Sequence, residues 1–543
     1  MSNAFYKVPV PVNEPILDYR PGSPERTCLK KMLEKCSNEI WEVPMIIDGK
    51  EIRTDKIEDI FPPHDLKHKI GYFYEGEGSH VYMAIDAALK AKPAWEAMPW
   101  EDRAAIFLKA AELLAGPYRA KMNAAVMLGQ SKNVFQAEID GVVELVDFYR
   151  FNVQFMSDIY QVQPISAHNR WNRTEYRPLE GFVFALSPFN FTSIAGNLAG
   201  APALMGNTIV WKPARTQLYS AKVIMEVLDE AGLPPGVINM INVSGRIAGD
   251  IIFNHREFAG LHFTGSVETF QKLYETIAKN LPKYRSFPRI VGETGGKDFV
   301  MVHASAKPVQ VSTTLSRGAF EYQGQKCSAA SRAYIPESIW PEVRELLTED
   351  LQSFRMGDVM DFRNFVNAVI DEKAFDSISW YIDQARNAQD AEIIIGGNCD
   401  KTNGYFIQPT VILTTNPQFV TMKEEIFGPV LTIFVYKDEE YEQTLKLVDQ
   451  TSPFALTGAI LAHDRDAVVK AFELLRNAAG NFYINDKPTG AIVGQQPFGG
   501  ARSSGTNDKA GSALNLYRWV SPRTIKETFV TPEDYRYPFM EEA

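Results

Sequence analysis

The chain has 543 residues and carries 56 basic against 67 acidic side chains, which gives a formal net charge of −11. Hydrophobic residues make up 45% and charged residues 23%, a balance typical of globular proteins and not of disordered, collagen-like or coiled-coil chains. At roughly 150 residues per domain, this length predicts three or four domains or lobes. The acidic balance argues against a nucleic-acid partner, and the sequence lacks the run of about 18 apolar residues that predicts a membrane span.

The first 30 residues contain Glu14, Asp18 and Glu25 and have no continuous apolar core. They therefore fit neither a secretory signal nor an Arg-rich transit peptide. The four cysteines are too few for a disulfide framework in so long a chain, which favours a reducing compartment. We expect a cytoplasmic protein if the source is bacterial, and a mitochondrial-matrix protein if this is a mature eukaryotic chain.

In chain order, residues 1–40 are rich in proline and mixed charge, which predicts an extended N-terminal arm ahead of the first compact unit. Between about 80 and 160 apolar residues recur three or four apart, as in helices. From Gly181 short β-rich runs alternate with helical stretches, punctuated by the helix-stop signal AGLPPG at 231–236. A second series starts near Arg289. This alternation predicts βαβ units in two α/β lobes, with mostly parallel sheets covered by helices on both faces.

Two strand-like segments fall outside the alternation, at 168–179 and at 515–530. Neither segment has a long apolar face. We therefore expect both to pair outside the two lobes, and contact with another subunit is one way for them to do so.

The motifs typical of metal and phosphate sites are incomplete. His64 and His68 stand four apart, but two prolines precede them and no third ligand is near, so we expect solvated side chains and no metal site. GETGGKD at 292–298 is one residue short of a phosphate loop and has Asp298 where Ser or Thr would bind magnesium. No G-x-G-x-x-G follows a predicted strand, so the usual dinucleotide fingerprint is missing as well.

A candidate nucleophile, Cys327, has small and polar neighbours in GAFEYQGQKCSAASR, and Lys326 adjoins it in the electropositive setting that favours a thiolate. Glu293 ends a strand-like run before a glycine turn. Asn190 follows the strand GFVFALS, where ligand sites of open α/β sheets gather, and its amide could donate to an oxyanion. Singly, Cys327 fits a structural cysteine equally well, and the other two fit turn residues. Their combination indicates catalysis.

The chain resembles the aldehyde dehydrogenase superfamily from about Pro44 to Pro522, through SPFNF, WKPA, FTGS, GETGGK, GQKCS, EEIFGP and PFGG, in that order. Within it the chain is similar to the long-chain Δ1-pyrroline-5-carboxylate dehydrogenases, through FEYQGQKCSAASRAYIP, NDKPTGAIVGQQPFGGARSSGTNDKAG and the N-terminal arm. The resemblance implies an α/β fold with a Rossmann-type cofactor lobe, an α/β catalytic lobe and a small β oligomerisation flap, assembled as a homodimer or a higher homo-oligomer. The implied divisions are an arm at 1–40, an NAD-binding domain at 41–163 and 181–290, a catalytic domain at 291–485, a substrate-anchoring loop at 486–510 and the flap at 164–180 and 511–543.

The resemblance also implies roles for single residues. Cys327 would add to the substrate aldehyde, Asn190 would hold the oxyanion together with the Cys327 backbone N–H, and Glu293 would activate the water that hydrolyses the thioester. The cofactor, NAD, would contact Lys212, Gly265, Ser266, Glu425 and Phe427. The substrate would contact Glu144 at its ammonium, Phe191 and Phe498 at its stem, and Ser328, Gly490 and Ala491 at its carboxylate. Without the resemblance, Glu144 would be an ordinary helix-surface carboxylate.

One position departs from the superfamily pattern. Many members have an acid in K-P-x-E that binds ribose hydroxyls, and this chain has Arg215 there. An arginine could tolerate the 2′-phosphate of NADP. The favoured interpretation of Arg215 is an exposed residue at the start of a helix. The resemblance to the Δ1-pyrroline-5-carboxylate dehydrogenases implies NAD as the cofactor. The implied reaction is oxidation of L-glutamate 5-semialdehyde, in equilibrium with Δ1-pyrroline-5-carboxylate, to glutamate, the last step of proline catabolism. The alternatives are another small ω-semialdehyde as substrate, or a structural or redox-binding protein that has lost catalysis.

Overall fold

The computed structural model describes residues 4–542. Its strands are β1 (Trp41–Val43), β2 (Met45–Ile47), β3 (Lys50–Ile52), β4 (Ile57–Ile60), β5 (Gly71–Tyr74), β6 (Arg170–Pro178), β7 (Phe182–Leu186), β8 (Thr208–Lys212), β9 (Ile238–Met240), β10 (Phe258–Thr264), β11 (Arg289–Glu293), β12 (Asp298–Val302), β13 (Ala330–Pro336), β14 (Ala391–Ile395), β15 (Cys399–Asp400), β16 (Phe406–Ile407), β17 (Thr410–Thr414), β18 (Val430–Tyr436), β19 (Phe454–Ala455), β20 (Thr457–Leu461), β21 (Asn481–Ile484), β22 (Ala501–Arg502) and β23 (Val520–Thr528).

The α-helices are α1 (Pro24–Asn38), α2 (Gly78–Ala97), α3 (Trp100–Ala115), α4 (Arg119–Gln130), α5 (Val134–Ala137), α6 (Glu144–Gln161), α7 (Thr192–Leu204), α8 (Leu218–Ala231), α9 (Gly245–Ile252), α10 (Val267–Asn280), α11 (Pro308–Phe320), α12 (Trp340–Ser353), α13 (Glu372–Arg386), α14 (Val420–Lys423), α15 (Tyr441–Gln450), α16 (Arg465–Leu474) and α17 (Ala513–Tyr517). A π-helical segment (Glu138–Val143) joins α5 to α6.

Two seven-stranded sheets form the two α/β lobes. The first has the order β11-β10-β7-β8-β9-β2-β3, and the strands from β11 to β9 run parallel. The second has the order β14-β17-β18-β13-β12-β20-β21, with only the edge strand β14 antiparallel. Strands such as β7 and β12 are apolar and buried along nearly their whole length, because helices cover both faces of a parallel sheet. The predicted fold class, two α/β lobes with mostly parallel sheets, is confirmed.

The helices build a hydrophobic core on each face of each sheet. In the first lobe one core contains Phe107 of α3 and Leu198 of α7, and the other contains Val81 of α2 and Ile277 of α10. The second lobe has the same arrangement, with α11 and α12 on one face and α13, α15 and α16 on the other. The carboxyl ends of the parallel strands are left uncovered by this packing, and they carry the candidate site.

The predicted domain boundary at 290/291 falls inside β11. Residues 289–293 form β11, which pairs with β10 in the first sheet, and the second lobe begins with β12. The cofactor lobe therefore provides Glu293. Periodicity along the chain identifies a short β-rich run but not the sheet that it joins, because that choice depends on contacts with distant segments.

The prediction of an extended arm holds for only part of residues 1–40. Residues 1–3 lie outside the described part of the chain, and residues 24–38 form α1. The side chain of Ser23 caps this helix by accepting a hydrogen bond from the Arg26 N–H, and a proline occupies its first turn. Leu29 and Leu33 are buried in the core of the first lobe. The arm is therefore packed against the first lobe and does not stand ahead of it.

The predicted flap strands pair with each other. β6 and β23 form an antiparallel ribbon in a register that runs from Arg170 opposite Thr528 to Pro178 opposite Val520, separate from both seven-stranded sheets. The start of the 515–530 segment is helical, because residues 513–517 form α17. Residue 543 of the predicted flap lies outside the described residues.

His64 is buried, and the expectation of a solvated side chain was wrong for it. Its Nδ1 lies 3.2 Å from the Ser131 hydroxyl, and His68 Nε2 lies 2.7 Å from the carbonyl oxygen of Ser37. Each ring is thus engaged by ordinary polar neighbours. Within residues 4–542 no three or more His, Cys, Asp or Glu side chains are grouped to hold a metal ion, and none of the helices there is long and apolar enough to cross a bilayer.

Candidate active site

Asn190, Glu293 and Cys327 come together at the carboxyl edge of the first sheet. Asn190 follows β7, Glu293 ends β11, and Cys327 precedes β13. The Asn190 side-chain amide donates to the carbonyl oxygen of Gln325 at 3.1 Å, two residues before the thiol. Glu293 lies near enough for its negative charge to help raise the pKa of the Cys327 thiol. The Asn190 amide and the Glu293 carboxyl therefore both lie close to the segment that carries the thiol.

The glycine turn after Glu293 passes directly beside the nucleophile segment. A Cβ at Gly295 would meet Glu425 Oε2 at 2.0 Å, and one at Gly296 would meet the Cys327 carbonyl oxygen at 2.2 Å. The Gly296 N–H donates to Glu425 Oε1 at 2.9 Å. Only glycine allows so close an approach of backbone to both neighbours.

A left-handed segment just before Cys327 was not expected from the sequence. Tyr322 (φ 51°), Gln323 (φ 54°) and Gly324 (φ 66°) are consecutive left-handed residues. The Tyr322 hydroxyl donates to the Gln130 carbonyl oxygen at 3.0 Å, and Gln323 Nε2 donates to that of Ser131 at 3.0 Å. Non-glycine residues in this conformation are costly and persist where surrounding contacts hold them, often at functional sites. Here α4 holds the loop that presents the thiol.

The electrostatic setting of Cys327 differs from the expected one. Burial raises the pKa of the thiol well above its usual value, and the negative charges of Asp298, Glu425 and Glu293 raise it further. Lys326 was expected to provide positive charge, but its Nζ is engaged by Glu321 Oε2 at 3.4 Å. The thiol is thus protonated at neutral pH in this state.

Glu293 is a buried carboxyl with little compensation. Burial raises its pKa well above the ordinary glutamate value, and the only opposing influences are a hydrogen bond from the Gly500 N–H (3.1 Å) and the positive charge of Lys509. A carboxylate whose pKa is raised binds a proton more tightly than an exposed glutamate, which suits it to act as a general base.

A cavity of about 300 Å³ opens on Cys327. Its acidic wall is formed by Asp140, Glu144 and Asp147, which come from the π-helical segment and α6. The cavity is also lined by Lys326 and by the anchoring loop, which contributes Lys487 with Asp486 beside it. The further residues predicted to contact substrate also line it: Phe191, Ser328, Gly490, Ala491 and Phe498. A small cavity lined by side chains of both charges complements a short zwitterion.

Glu144 occupies the first position of α6, directly after the π-helical segment. Such segments interrupt α-helices mostly at functional sites, and the uniform helix expected here is wrong in this respect. The Ser193 hydroxyl donates to Glu144 Oε2 at 2.5 Å, while burial and the charge of Asp140 raise the pKa of Glu144 to about 8. An ammonium group bound beside it would favour the ionised carboxylate.

At the anchoring loop, the Ser328 and Thr489 hydroxyls share a hydrogen bond of 2.8 Å. Gly490 has φ +97°, a conformation that favours glycine and turns the backbone beside Ala491 toward the cavity. Thr489 is the first residue of the TGA sequence at 489–491, for which backbone contacts to the substrate carboxylate were predicted, and its side-chain contact with Ser328 was not expected.

The predicted cofactor residues lie around the carboxyl ends of β8, β10 and β11. Ser266 caps α10 by accepting from the Thr269 N–H at 3.3 Å, so that the first-turn N–H groups of α10 face the strand ends, a favourable setting for a pyrophosphate. Gly265 uses its N–H to donate to the Glu293 carbonyl oxygen at 3.1 Å. Phe427, at φ 58°, packs edge-on against Phe189 with 5.8 Å between ring centroids.

Lys212 ends β8 and is largely buried, and burial together with the charge of Arg215 lowers its pKa to about 8. Arg215 is held by two acids: its NH2 lies 3.1 Å from Glu58 Oε1 and 3.0 Å from Glu75 Oε1. Those two acids come from the segments around β4 and β5, far from Arg215 in the chain, and sequence reasoning missed them.

Lys132 is a second residue that sequence reasoning missed. It is fully buried, its Nζ donates to Asp140 Oδ2 at 2.8 Å, and it lies over the rings of Phe191 (4.6 Å) and Tyr322 (4.4 Å). It connects the acidic wall to the left-handed loop before Cys327. A lone lysine between Ser and Asn carries no recognisable signal of such a position.

Comparison with known proteins agrees with this geometry. Residues 51–525 match the family model described as aldehyde dehydrogenase family. The chain belongs to the aldehyde dehydrogenase family. It is 51% identical to the mitochondrial Δ1-pyrroline-5-carboxylate dehydrogenase of Dictyostelium discoideum, over 98% of this chain and 96% of that one.

Solved structures place the same aldehyde dehydrogenase fold over the whole chain. A crystal structure of the Δ-pyrroline-5-carboxylate dehydrogenase of Mycobacterium tuberculosis bound with NAD superposes with a TM-score of 0.97, at 51% identity and covering 100% of both chains. A Thermus 1-pyrroline-5-carboxylate dehydrogenase with bound NAD superposes with a TM-score of 0.90, at 29% identity, covering 96% of this chain and 100% of that one.

Proposed function

We propose that this aldehyde dehydrogenase oxidises L-glutamate 5-semialdehyde, in equilibrium with Δ1-pyrroline-5-carboxylate, to L-glutamate with NAD, the last step of proline catabolism. The observation that carries the proposal is the cavity beside Cys327, which is lined by acids of the π-helical segment and α6, by two lysines and by a glycine-bearing loop. The names of the relatives support the same reaction.

Cys327 is the proposed nucleophile. Its thiol first loses its proton to solvent. The thiolate sulfur then adds to the aldehyde carbon, and the electron pair of the C=O π bond moves to the oxygen, which becomes an oxyanion beside Asn190. The Asn190 amide has two N–H donors, and the contact with Gln325 uses one of them, so the other remains for the oxyanion together with the Cys327 backbone N–H. Loss of one such donor typically costs about 3 kcal/mol in the barrier.

Bound NAD accepts the hydride of the adduct, which is the chemistry that this cofactor supplies. Cys327 then carries the acyl group as a thioester. Glu293 removes a proton from the water that attacks the thioester carbon, and the thiol leaves as the carboxylate product forms. The raised pKa of Glu293 lets it take up that proton near neutral pH.

The substrate is proposed to lie with its ammonium group beside Glu144 and its carboxylate at Ser328, Gly490 and Ala491. Phe191 and Phe498 pack against its aliphatic stem. A short zwitterion loses water at both ends on binding, and partners at both ends are needed to compensate. An aldehyde without these charges leaves Glu144 and the donors of the anchoring loop without partners. This loss is the physical basis of selectivity for the zwitterionic substrate.

The proposed cofactor residues are Lys212, Gly265, Ser266, Glu425 and Phe427. NAD is favoured over NADP because Arg215 is already engaged by Glu58 and Glu75, so two acids and one base lie at the place where a 2′-phosphate would have to bind. Two negative charges against one positive disfavour a further dianion there.

We also propose a homodimer or a higher homo-oligomer joined through the flap. The ribbon of β6 and β23 exposes Trp171, and Phe529 and Val530 extend beyond it, each more than half exposed. Exposed apolar groups on a ribbon outside both cores suit a second copy of the chain. The mitochondrial matrix is proposed for a eukaryotic source because the relatives there are named as mitochondrial, and the cytoplasm for a bacterial source.

The decisive experiment measures NADH formation by the purified protein with glutamate semialdehyde, with hexanal and with a second small ω-semialdehyde, succinate semialdehyde. We expect a kcat/KM for glutamate semialdehyde at least a hundredfold above that for hexanal, and none of these activities in Cys327→Ser. Equal rates with hexanal would contradict the assigned substrate. A preference for succinate semialdehyde would favour the alternative substrate class, and activity in Cys327→Ser would remove the nucleophile.

A further inference from the structure

The N-terminal arm reaches into the substrate cavity. Asn13, Glu14 and Ile16 line the cavity together with Cys327 and the loop 489–495. None of these three arm residues takes part in the catalytic, cofactor or substrate contacts proposed above, although all three form part of the cavity wall.

The side-chain amide of Asn13 connects two walls of the cavity. Its Nδ2 donates to Asp147 Oδ2 on α6 at 2.8 Å and to the Val493 carbonyl oxygen in the anchoring loop at 2.9 Å. Its Oδ1 accepts from Gln495 Nε2 at 2.9 Å. One N–H group of the amide is bonded to α6 and the other to the anchoring loop. The amide therefore cannot rotate without losing one of these hydrogen bonds.

The residue after Asn13 ties the arm to the body of the first lobe. The Glu14 N–H donates to the second oxygen of Asp147 at 2.7 Å, and the Glu14 carboxylate accepts from Arg119 NH1 at 2.6 Å and Arg150 NH1 at 2.7 Å. Charge-assisted bonds of this kind are stronger than neutral ones. These contacts therefore hold residues 13 and 14 of the arm in place against the first lobe.

Further along the arm, the same cluster continues into the interior. The Leu17 N–H (3.1 Å) and the Tyr19 hydroxyl (2.7 Å) both donate to Glu138, whose side chain is completely buried. Glu138 opens the π-helical segment that leads to Glu144. The arm thus contacts the start of the π-helical segment through Glu138 and the first turn of α6 through Asp147.

The anchoring loop depends on outside contacts for its shape. Gly490 (φ +97°) and Gly494 (φ +80°) give it two flexible points. A Cβ at Gly494 would meet Phe151 Cε1 at 2.2 Å, so the loop passes directly against α6. A contact at Val493, between these two glycines, restrains the stretch of the loop that faces the cavity.

We propose that Asn13 is a positioning residue that sets the separation between the acidic wall and the anchoring loop, and with it the length of zwitterionic substrate that the cavity accepts. Glu144 and Asp147 lie three residues apart on α6, hence on one face of the helix. Joining Asp147 to Val493 therefore sets the ammonium site relative to the backbone N–H groups of the loop. The inference rests on the proposed function.

The test compares Asn13→Ala with the unmodified enzyme on three aldehydes: glutamate semialdehyde, its one-methylene-longer homologue 2-aminoadipate 6-semialdehyde, and propanal. Loss of Asn13's hydrogen bonds is expected to raise KM for glutamate semialdehyde about tenfold with little change in kcat. Both parameters for propanal, which reaches neither wall, are expected to stay within about twofold, and the preference for the shorter zwitterion over the longer one is expected to fall. Asn38→Ala, at an exposed amide near the end of α1, is the matched control and should leave all values unchanged.

Hydrogen exchange of the loop gives a second measurement that needs no substrate. Asn13→Ala should speed exchange at residues 489–495 while α1 and the two sheets stay protected. Unchanged exchange in the loop, or an equal loss of activity with all three aldehydes, would overturn the positioning role. Failure of the proposed function is distinguishable, because it would be seen in the unmodified enzyme as no preference for glutamate semialdehyde, whatever the exchange data show.

Discussion

The charged groups at the two ends of the cleft around Cys327 are paired differently. The reaction end contains Cys327 and Glu293, and the anchoring end contains the acidic wall and the anchoring loop. At the reaction end, burial raises the pKa values of Cys327 and Glu293, and few opposite charges compensate them. At the anchoring end, Lys132 Nζ lies 2.8 Å from Asp140 Oδ2, and Lys487 Nζ lies 2.8 Å from Glu321 Oε2. Cys327 and Glu293, which must change protonation, are left without a close partner ion, whereas Lys132, Asp140 and Lys487 at the anchoring end each have one.

The largest expected effect lies at the reaction end. Glu293→Gln keeps the shape of the side chain and removes the base, so thioester hydrolysis should slow by about 10²–10⁴-fold. Rapid-mixing measurements should show a burst of about one NADH per site followed by slow turnover. The exposed Glu275→Gln is the control and should keep its steady-state rate; a normal steady-state rate in Glu293→Gln would remove it from the role of base.

The paired charges of the anchoring end predict a loss of stability. Lys132→Met leaves Asp140 buried without a partner, which should lower the free energy of unfolding by about 3–5 kcal/mol in urea titration. The double variant Lys132→Met/Asp140→Leu should lose less than the single one, because no uncompensated charge remains. Equal losses would mean that the pair contributes mainly through packing on Phe191 and Tyr322.

Substrate recognition at the acidic wall comes next in size. Glu144→Gln removes the charge facing the substrate ammonium, and a hydrogen bond to a charged group contributes about 1.5–3 kcal/mol, so KM for glutamate semialdehyde should rise about tenfold or more. The KM for propanal should not change. If both KM values rise together, Glu144 supports the fold of the cavity and not the ammonium.

The raised pKa values at the reaction end predict a pH dependence that alkylation can measure. In the cofactor-free protein, iodoacetamide should label Cys327 only at a pH above that at which a small free thiol such as N-acetylcysteine reacts, because the thiolate is disfavoured by burial and by three carboxylates. Glu293→Gln removes one negative charge and should move the Cys327 midpoint to lower pH. Peptide mass spectrometry measures the labelling of Cys327, and a midpoint that is the same in the variant and the unmodified protein would contradict the electrostatic account.

The smallest expected effect concerns the cofactor. Glu58→Gln/Glu75→Gln frees Arg215, and since exposed ion pairs contribute about 0.2–1 kcal/mol each, the affinity for NADP relative to NAD should rise only a few-fold. Calorimetric titration with both cofactors measures it. An unchanged ratio would show that the two acids do not act on this choice.

Much of the reaction end could be predicted from the sequence. Asn190, Glu293 and Cys327 each stand beside a recognisable strand or helix end, and the family motifs implied that they act together, although the sheet that β11 joins was not predicted. The anchoring end was only partly predictable. Glu144 came from family resemblance alone, and Lys132 carries no local signal.

The sequence by itself determined the two parallel-sheet lobes, the paired flap segments and the order of the catalytic motifs, because each depends on periodicity or on residues adjacent in the chain. Only the tertiary structure decided that β11 joins the first sheet, that carboxylates and not Lys326 dominate the field at Cys327, and that Asn13 bridges to Val493. These are contacts between segments up to 480 residues apart. Hydrogen bonds and Coulomb interactions act over a few ångströms in space, and spacing along the chain does not encode which distant groups will be brought within that range.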